Sequence, residues 1–248
     1  MKDKFNEIDR RKKIIDDKRP LPKETLNSIK DKLSLDLTYH SNAIEGNTLT
    51  LTETKVVLKD GITIGGKSVK EHLEAINHQE ALNHLELIIG NNEELSEKQI
   101  KDIHYLILKS INNDGAGRYR NQNVAIEGAE HIPPNHIIVP EQMENLINWY
   151  HGEGQELHPI ERAARLHAEF VKIHPFIDGN GRTARLLLNF ELMKNGYPIV
   201  IIKNEDRVNY YNSLEKYSIK NDCSSFTNLI IDSLNETIDL YFKILDLD

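Results

Sequence analysis

The chain has 248 residues, of which 39% are apolar and 28% are charged, and its formal net charge is −8. This composition is typical of a soluble globular protein long enough for one substantial domain. The negative charge disfavours nucleic acid or an anionic membrane as a partner, and no apolar run approaches the roughly 20 residues of a membrane span. Residues 1–18 have mixed charge without an apolar stretch, so we expect no secretory signal and a cytoplasmic protein.

Periodic apolar residues predict that most of the chain is helical. In the first such segment, Leu26, Ile29 and Leu33 recur at the spacing of one helix face. The tetrapeptides TLTE at 50–53 and SEKQ at 96–99 have the capping-box pattern that begins a helix. In chain order, the predicted helices lie at residues 23–44, from 50 to a glycine-rich break at 61–66, and at 69–89, 96–111, 140–150, 159–173, 180–195, 205–218 and 224–245.

One segment, residues 119–139, does not fit a helical pattern. Two short β-prone runs, around Val124 and around Ile138, flank a turn-rich centre that contains Pro133 and Pro134. This arrangement predicts a β-hairpin. We therefore expect a single all-α domain over the whole chain, mostly helical and carrying this one β-hairpin.

The stretch HPFIDGNGRTAR, residues 174–185, lies between two predicted helices and differs from the rest of the chain. The proline that follows His174 disfavours the helical conformation there, so the preceding helix is expected to end at this histidine. Gly179 and Gly181 permit backbone angles that other residues avoid, and they let a ligand approach the main chain. Asn180 is in a position to cap the next helix. Backbone N–H groups at such a helix start form an anion-binding site.

Two arginines at the start of this helix strengthen the prediction of an anion. Arg182 and Arg185 are three positions apart and share one face. A helix N-terminus disfavours each cation by a few tenths to about 1 kcal/mol, whereas each arginine can bind a phosphate with two N–H groups. Asp178 is a hard oxygen ligand suited to Mg²⁺, which prefers one or two carboxylates plus substrate phosphates. His174 is the candidate general base, so the stretch predicts a magnesium–polyphosphate site beside a base.

No single element of this stretch is specific to a function, since His-Pro is usually a helix end and Gly-Asn-Gly is usually a turn. The occurrence of all these elements together is specific. A P-loop is excluded, because the pattern GxxxxGK[ST] does not occur in the chain. The stretch resembles the motif HPFx[DE]GNGRxxR of Fic-domain nucleotidyltransferases, and every specified position is filled. The resemblance extends over most of the chain from about residue 38. It implies an inhibitory helix region at 24–47, a Fic core at about 96–200 with a flap at 119–139, and C-terminal helices at 205–248.

The resemblance implies a reaction, the transfer of AMP from ATP to a protein hydroxyl with release of pyrophosphate. By the same resemblance, His174 deprotonates the target Ser, Thr or Tyr side chain, and Asp178 holds Mg²⁺ on the phosphates. The Gly-Asn-Gly segment binds phosphates through its backbone and its amide. Arg182 holds the β-phosphate and Arg185 holds the γ-phosphate.

Other parts of the chain receive roles from the same resemblance. The centre of the predicted hairpin is the flap that aligns the target side chain by extended main-chain pairing. Its residues are His131, Ile132, Pro133 and Pro134. Tyr210 and Tyr211 are expected near the adenine, with ordinary helix packing as the alternative. Where the family often carries an asparagine that reads the adenine, this chain has Ser218 or a neighbour.

A second stretch, SNAIEGN, begins at Ser41. Ser41 and Glu45 are four positions apart and share a helix face, and Gly46 is typical of a helix end. A surface helix end is the ordinary interpretation. The stretch, which Asn47 completes, also resembles the Fic inhibitory motif [ST]xxxE[GN]. By that resemblance Glu45 pairs with Arg185 in the γ-phosphate position, so that ATP binds with its α-phosphate misaligned. In some relatives this glutamate supports removal of AMP.

Three alternatives stay open from the sequence. Fic relatives transfer UMP, phosphate or phosphocholine instead, although the Gly-Asn-Gly-Arg form disfavours the kinase-like variant. A degenerate, non-catalytic scaffold is disfavoured by the intact His174, Arg182 and Arg185. A transcription factor with a winged-helix tail is disfavoured by the acidic net charge and the absence of a basic recognition helix. The expected partners are a target protein with an exposed hydroxyl and, by analogy with relatives, a second copy in a homodimer.

Several histidines and the lone cysteine are interpreted as structural. The histidines concerned are His72, His78, His84, His158 and His167. The first three are six positions apart and do not share a helix face, and the other two have no partner at metal-ligand spacing. Cys223 is the only cysteine, which excludes an intramolecular disulfide and a cysteine-based metal site.

Overall fold

The computed structural model describes residues 1–247, which form ten α-helices and no β-strand. In chain order these are α1 (Lys2–Asp16), α2 (Lys23–Ile44), α3 (Leu51–Lys55), α4 (Val69–Gly90), α5 (Glu97–Leu108), α6 (Val139–His151), α7 (Pro159–Ile173), α8 (Asn180–Lys194), α9 (Arg207–Lys220) and α10 (Ser224–Leu245). Shorter helical segments are a π-helical turn at Val56–Asp60 and 3₁₀ turns at His136–Ile138, Glu153–Glu156 and Asn204–Asp206. None of the helices in the described range is both long enough and apolar enough to cross a bilayer. Asp248, the last residue of the predicted C-terminal helical region, lies outside the described residues.

Helices α7 and α8 form the centre of the molecule, with a hydrophobic core on each side. On one side, Phe170 of α7 and Phe190 of α8 pack into a core shared with α2, α4, α5 and α6. On the other side, Ala164 of α7 and Leu192 of α8 pack with α1, α9 and α10. Almost every residue of α8 as far as Leu192 is buried, as expected for a helix surrounded by others. The loop between α7 and α8 is therefore held at both of its ends by the interior of the protein.

The helical part of the prediction is confirmed, and α2, α7 and α10 have the predicted bounds. One helix, α1, was not predicted, because its many charged residues conceal a short apolar face. Phe5, Ile8 and Ile15 are the buried residues of α1, and they pack in the core shared with α10. Their spacing of three and then seven positions is the signal of one helix face. The charges of this segment are therefore the solvated side of an amphipathic helix.

The predicted β-hairpin at 119–139 is not confirmed, since residues 119–135 contain no strand and a 3₁₀ turn follows. Pro133 and Pro134 have no N–H groups and would interrupt the ladder of a hairpin. Other backbone groups of the segment are satisfied by side chains. The Arg120 guanidinium donates to carbonyls of this segment, and a Glu215 carboxylate oxygen accepts two of its N–H groups. The segment is an ordered loop because these side chains replace a strand partner.

Candidate functional site

The chain reverses between α7 and α8 in the loop of residues 174–179. His174 ends α7 in the left-handed conformation, with φ 51° and ψ 58°, and its N–H donates to the Phe170 carbonyl at 3.0 Å. Gly179 precedes α8 with a left-handed φ of 77°, and a Cβ there would lie 3.2 Å from His104 Nε2. The left-handed conformation costs a non-glycine residue about 1–2 kcal/mol, and such residues are concentrated at functional sites. In this loop the residue that carries the strain is the predicted base.

The side chain of Asn180 closes the loop from inside. Its Oδ1 accepts the N–H of Phe176 at 3.0 Å, and its Nδ2 donates to the Phe176 carbonyl at 2.8 Å. The expectation that Asn180 caps α8 is wrong, because Gly179 precedes the helix and Asn180 is its first residue. Asn180 is buried and both of its amide atoms are bonded within the loop. In this arrangement only its backbone N–H is available to a phosphate.

His104 of α5 supports the same loop and was not identified from the sequence. Its Nε2–H donates to the Asp178 carbonyl at 2.8 Å, and its Nδ1 accepts the Gly117 N–H at 2.9 Å. The imidazole ring stacks on Phe176 with centroids 3.5 Å apart. Burial lowers the pKa of His104 to about 4, so the ring is neutral at pH 7, as its two hydrogen bonds require. It precedes Asp178 by 74 positions, and only the packing of α5 against α8 brings the two together.

Arg185 lies at the bottom of the site and is 1% exposed. Its guanidinium donates to Ser41 Oγ at 3.0 Å, the Ser41 carbonyl at 2.8 Å, Glu45 Oε1 at 2.8 Å and the Tyr210 hydroxyl at 3.4 Å. Ser41 and Glu45, which the sequence placed on one helix face, therefore both face Arg185. The end of α2 and the first turns of α8 meet through this arginine.

The carboxylate of Glu45 also lies against the first turn of α8. A Cβ added to Gly181 would be 2.3 Å from Glu45 Oε1, so the absence of a side chain at Gly181 makes room for the carboxylate. Helix α8 has no side-chain cap among the described residues, and its first N–H groups have no partner within the helix. A negative group is favoured at such a position. Glu45 therefore fills an anion position formed by a helix N-terminus and Arg185.

Arg182 is buried beside this position and is incompletely paired. It is 2% exposed, and its terminal nitrogens lie 3.3 Å from Glu74 Oε1 and 3.3 Å from Asp178 Oδ1. Its Nε has no hydrogen-bond partner within residues 1–247, and the terminal nitrogen that faces Glu74 lies near that carboxylate without a well-formed hydrogen bond. Buried charged groups are normally fully hydrogen-bonded. The incompletely bonded donors of Arg182 therefore suit a further anion.

The turn that follows Glu45 is attached to α4. Gly46 has a left-handed φ of 95°, which a glycine adopts without strain. The next residue, Asn47, donates its amide to Glu74 Oε2 at 2.8 Å and to the Glu71 carbonyl at 3.0 Å. Glu74 was not identified from the sequence, yet it contacts both Asn47 and Arg182. Of the predicted inhibitory residues, Ser41 and Glu45 thus contact Arg185 of α8 directly, whereas Asn47 contacts α8 only through Glu74.

The imidazole of His174 is neutral in this environment. Burial is the main cause that lowers its pKa to about 4, and the positive charge of Arg120 lowers it further, against an opposing effect of Glu45. Its Nδ1 is buried without a hydrogen-bond partner among residues 1–247, and the Val171 carbonyl acts on the ring as a hydrogen-bond acceptor. That carbonyl favours the tautomer with the proton on Nδ1, which leaves Nε2 as the proton acceptor.

The predicted docking residues lie next to the loop that carries His174. His131 Nε2–H donates to the Lys172 carbonyl at 2.9 Å, in the last turn of α7. Ile132 is 76% exposed, whereas Pro133 is buried. Pro134 accepts a hydrogen bond from Arg120, which also binds the His174 carbonyl. The segment therefore presents an exposed apolar side chain beside the candidate base, although it is not a strand.

The two tyrosines expected near adenine differ in their accessibility. Tyr210 is 1% exposed, and its hydroxyl contacts Arg185 and lies 3.0 Å from His167 Nε2. Its ring has no free surface for a base, so the structure does not support adenine packing by Tyr210. Tyr211 is 41% exposed and donates its hydroxyl to the Ile44 carbonyl at 3.2 Å. The expectation stays open for Tyr211 alone.

Asp178 is the acidic side chain of the site that faces solvent, with 44% of its side chain exposed. Its Oδ1 accepts the Gly179 N–H and pairs with Arg182, and its Oδ2 accepts no hydrogen bond from residues 1–247. Residues 1–247 contain no group of three or more acidic, histidine or cysteine side chains that could hold a metal ion. One carboxylate fits Mg²⁺, which completes its six ligands with phosphate oxygens and water.

Replacing Gly181 by alanine tests where the Glu45 carboxylate lies. In the native chain the new Cβ would displace Glu45 from Arg185, at a cost of about 1.5–3 kcal/mol for a charged hydrogen bond. In a Glu45→Gly protein the clash with the carboxylate is absent. The close neighbour that remains is Arg185 Nη1 at 3.1 Å, the end of a flexible side chain, and alanine is preferred to glycine within a helix by about 0.5–1 kcal/mol. We expect urea unfolding to show that Gly181→Ala destabilises the native protein but not the Glu45→Gly protein. Equal effects in both proteins would show that Glu45 does not contact Gly181.

The fold and the site together define a helical anion-binding domain in which a carboxylate of the same chain fills the anion position. The Fic/DOC family model matches residues 94–192. Protein adenylyltransferase Fic of Nematostella vectensis is 40% identical over 82% of this chain and 47% of its own length. The relative of the same name from Drosophila willistoni is 37% identical over 82% of this chain and 40% of its own. The chain thus spans less than half the length of these curated relatives.

Solved structures show the same likeness over the full fold. Fic-1 from C. elegans is 31% identical with a TM-score of 0.91, covering 99% of this chain and 72% of that chain. A Fic domain containing signaling protein from Bacteroides thetaiotaomicron is 32% identical with a TM-score of 0.88, covering 97% of this chain and 96% of that chain. The chain belongs to the Fic/DOC family, which confirms the resemblance inferred from the motif at 174–185.

Proposed function

We propose that this protein transfers AMP from ATP, with Mg²⁺, to a Ser, Thr or Tyr hydroxyl of a target protein and of itself, and that Glu45 inhibits the transfer. The observation that carries the proposal is the pair between Glu45 and Arg185 at the start of α8, beside the neutral His174. The curated relatives are named protein adenylyltransferases, which supports AMP as the transferred group.

The site offers a triphosphate several groups of matching charge. Arg185 would bind the γ-phosphate once Glu45 has moved away, and the incompletely bonded donors of Arg182 would bind the β-phosphate. The backbone N–H groups of the Gly-Asn-Gly segment lie at the helix N-terminus, where phosphates are favoured. Bound Mg²⁺, held by Asp178 together with phosphate oxygens, would neutralise negative charge on the phosphates.

In the proposed reaction, His174 Nε2 removes the proton from the target hydroxyl. The hydroxyl oxygen forms a bond to the α-phosphorus, and the bond from that phosphorus to the bridging oxygen breaks, so that pyrophosphate leaves with its electron pair. The negative charge of bound ATP favours the imidazolium that His174 becomes. Positioning and charge neutralisation therefore account for most of the catalysis.

Glu45 would inhibit by holding the place of one phosphate. With its carboxylate on Arg185, the γ-phosphate meets a like charge and loses its arginine, so ATP cannot place its α-phosphate in line with the target oxygen. A hydrogen bond between charged groups contributes about 1.5–3 kcal/mol, which corresponds to a rate change of about tenfold to a hundredfold.

The test is intact-mass spectrometry of the native protein and of Glu45→Gly after incubation with ATP and Mg²⁺. We expect Glu45→Gly to gain the mass of an AMP group about tenfold to a hundredfold faster than the native protein. Glu45→Gln, which keeps the size of the side chain but not its charge, is the matched control and should lie between the two. A folded Glu45→Gly protein that gains no mass with ATP would contradict the proposal.

The same experiment with other donors separates the alternatives. A mass gain with UTP or CDP-choline but not with ATP would identify UMP or phosphocholine as the transferred group. No gain with any donor, in a folded protein, would indicate a non-catalytic scaffold. Removal of AMP is tested by isolating the modified Glu45→Gly protein and adding the native protein without ATP. The homodimer stays a prediction, which sedimentation velocity would test.

A further inference from the structure

Arg120 is a buried arginine at the start of the loop that holds the docking residues, and no residue of the described range offers it a carboxylate. It is 4% exposed. Its guanidinium donates to three backbone carbonyls, those of His174 at 2.9 Å, Gln122 at 3.0 Å and Pro134. Its own backbone N–H donates to the Pro175 carbonyl at 2.9 Å. All four bonds therefore end on main-chain carbonyls. Three of these carbonyls belong to the loop that carries His174 or to the docking segment, residues 131–134.

These contacts join two parts of the site that no secondary structure connects. His174 is in the left-handed conformation, which lies in a small region of allowed backbone angles. The bond from Arg120 Nε holds the carbonyl of that residue, while a terminal nitrogen of the same guanidinium holds Pro134. Because the guanidinium is planar and rigid, it sets the separation between these two carbonyls.

A lysine at this position would not reproduce the arrangement. Its ammonium is a single point with freely rotating donors, whereas the acceptors of Arg120 lie in different directions around a plane. The loop also lacks strand pairing between residues 119 and 135. Its position relative to His174 therefore depends on a few individual contacts, which are the Arg120 bonds and the bond from His131 to the Lys172 carbonyl. Among these, the Arg120 guanidinium alone bonds both His174 and Pro134.

We propose that Arg120 is a positioning residue that fixes the docking segment His131–Pro134 relative to His174, so that a docked target hydroxyl reaches the imidazole. This inference rests on the proposed function. The positive charge of Arg120 also acts on the imidazole of His174, which gives the contact a second, independently measurable consequence.

Arg120 makes no hydrogen bond to the groups assigned to the phosphates. Arg185 is held by Ser41, Glu45 and Tyr210, and Arg182 is paired with Glu74 and Asp178. Loss of Arg120 should therefore leave ATP affinity unchanged while the transfer step slows. A general loss of structure would instead weaken both.

The first experiment compares Arg120→Gln and Arg120→Lys in the Glu45→Gly protein. Self-modification at saturating ATP is followed by intact mass, and ATP affinity is measured by calorimetry. We expect Arg120→Gln to slow self-modification at least about tenfold with ATP affinity within about twofold, and Arg120→Lys to recover only part of the rate. Arg118→Gln is the matched control, because Arg118 is exposed and makes no side-chain hydrogen bond among residues 1–247. It should behave like its parent.

The second experiment does not depend on activity. The His174 ring is followed by NMR during a pH titration, with its signal assigned by comparison with His174→Ala. In Arg120→Gln we expect the His174 signal to broaden and to titrate at higher pH. If the glutamine variant does not fold, Arg120→Lys is used instead, and its His174 signal should broaden. The inference is overturned if this titration is unchanged, if self-modification stays within about twofold of the parent, or if ATP affinity falls as much as the rate. If Glu45→Gly itself transfers no AMP, the proposed function fails while the titration still tests Arg120.

Discussion

Replacing His174 by alanine in the Glu45→Gly protein is expected to lower AMP transfer by about 10²- to 10⁴-fold, the contribution of a positioned general base. The reason is that the other imidazoles near the loop are engaged in hydrogen bonds. His104 of α5 is neutral but has both nitrogens occupied by Asp178 and Gly117, and His131 donates its Nε2–H to the Lys172 carbonyl. Intact-mass measurement of self-modification over time checks the prediction.

Two controls distinguish loss of the base from loss of the site. His151→Ala removes a histidine at the end of α6 that bonds the Leu95 carbonyl, and it should leave the rate of Glu45→Gly unchanged. ATP affinity should be similar with and without the His174 imidazole, because the groups assigned to the phosphates are Arg182 and Arg185. Transfer at the parent rate after His174→Ala would rule out its role as the base.

The free energy of unfolding is expected to fall steeply as the pH decreases from about 6.5 towards 4. Burial is the first cause of a lowered pKa for five histidines, of which His40 is one. For the other four the shift is large, with values of about 3 for His78, about 4 for His104 and about 4 for His174, and a value well below the usual one for His167. Each is deprotonated in the folded protein under conditions in which the unfolded chain binds a proton. These histidines therefore do not lower the free energy of unfolding above pH 6.5. They lower it progressively as the pH falls towards their folded-state pKa values.

The expected size is large compared with the stability of a typical protein. A shift of one pKa unit corresponds to about 1.4 kcal/mol, so a buried histidine whose folded-state pKa is about 4 changes the unfolding free energy by about 3 kcal/mol when fully titrated. Four such groups approach the whole stability of about 5–15 kcal/mol that folded proteins usually have. We therefore expect acid unfolding to begin well above the folded-state pKa values.

Urea unfolding followed by circular dichroism between about pH 7.5 and about pH 4.5 measures this dependence. His104→Gln is a suitable comparison, because a glutamine amide can donate to the Asp178 carbonyl and accept from Gly117 without titrating. Over this range, the slope of its unfolding free energy against pH should correspond to the uptake of about one proton fewer on unfolding than in the native protein. A native protein whose stability is constant from pH 6.5 to 5 would contradict the assignment of these histidines as buried and neutral.

Most of the helical structure could be predicted because it depends on local pattern. The apolar spacing and the capping boxes located α2, α4 and α5, and the same spacing gave the bounds of α7 and α10. Helix α1 was missed because its apolar face has only three buried residues among many charges. The hairpin was wrong because β propensity describes a strand that has a partner, whereas here Arg120 and Glu215 satisfy backbone groups of the loop.

The groups of the candidate site could be identified from the sequence alone, because the motif at 174–185 is contiguous and brings the histidine, the carboxylate and the arginines together within one loop and helix start. The role of the stretch from Ser41 to Asn47 could be stated only through the family resemblance. The contact between Glu45 and Arg185, which are 140 positions apart in the chain, depends on how α2 packs against α8. No local pattern encodes such a contact.

The contacts between elements that are distant in sequence were determined only by the tertiary structure. His104, Glu74 and Arg120 were not identified from the sequence because none lies in a motif, and each acts on a backbone or side chain from another part of the fold. The packing also assigned the Asn180 amide to its own loop and buried Tyr210. The sequence determined which groups are present and which helices form, since both follow from local covalent order. The packing of those helices determines which groups are buried, paired or left without a partner. The reason is that burial and pairing depend on which residues of different helices come into contact.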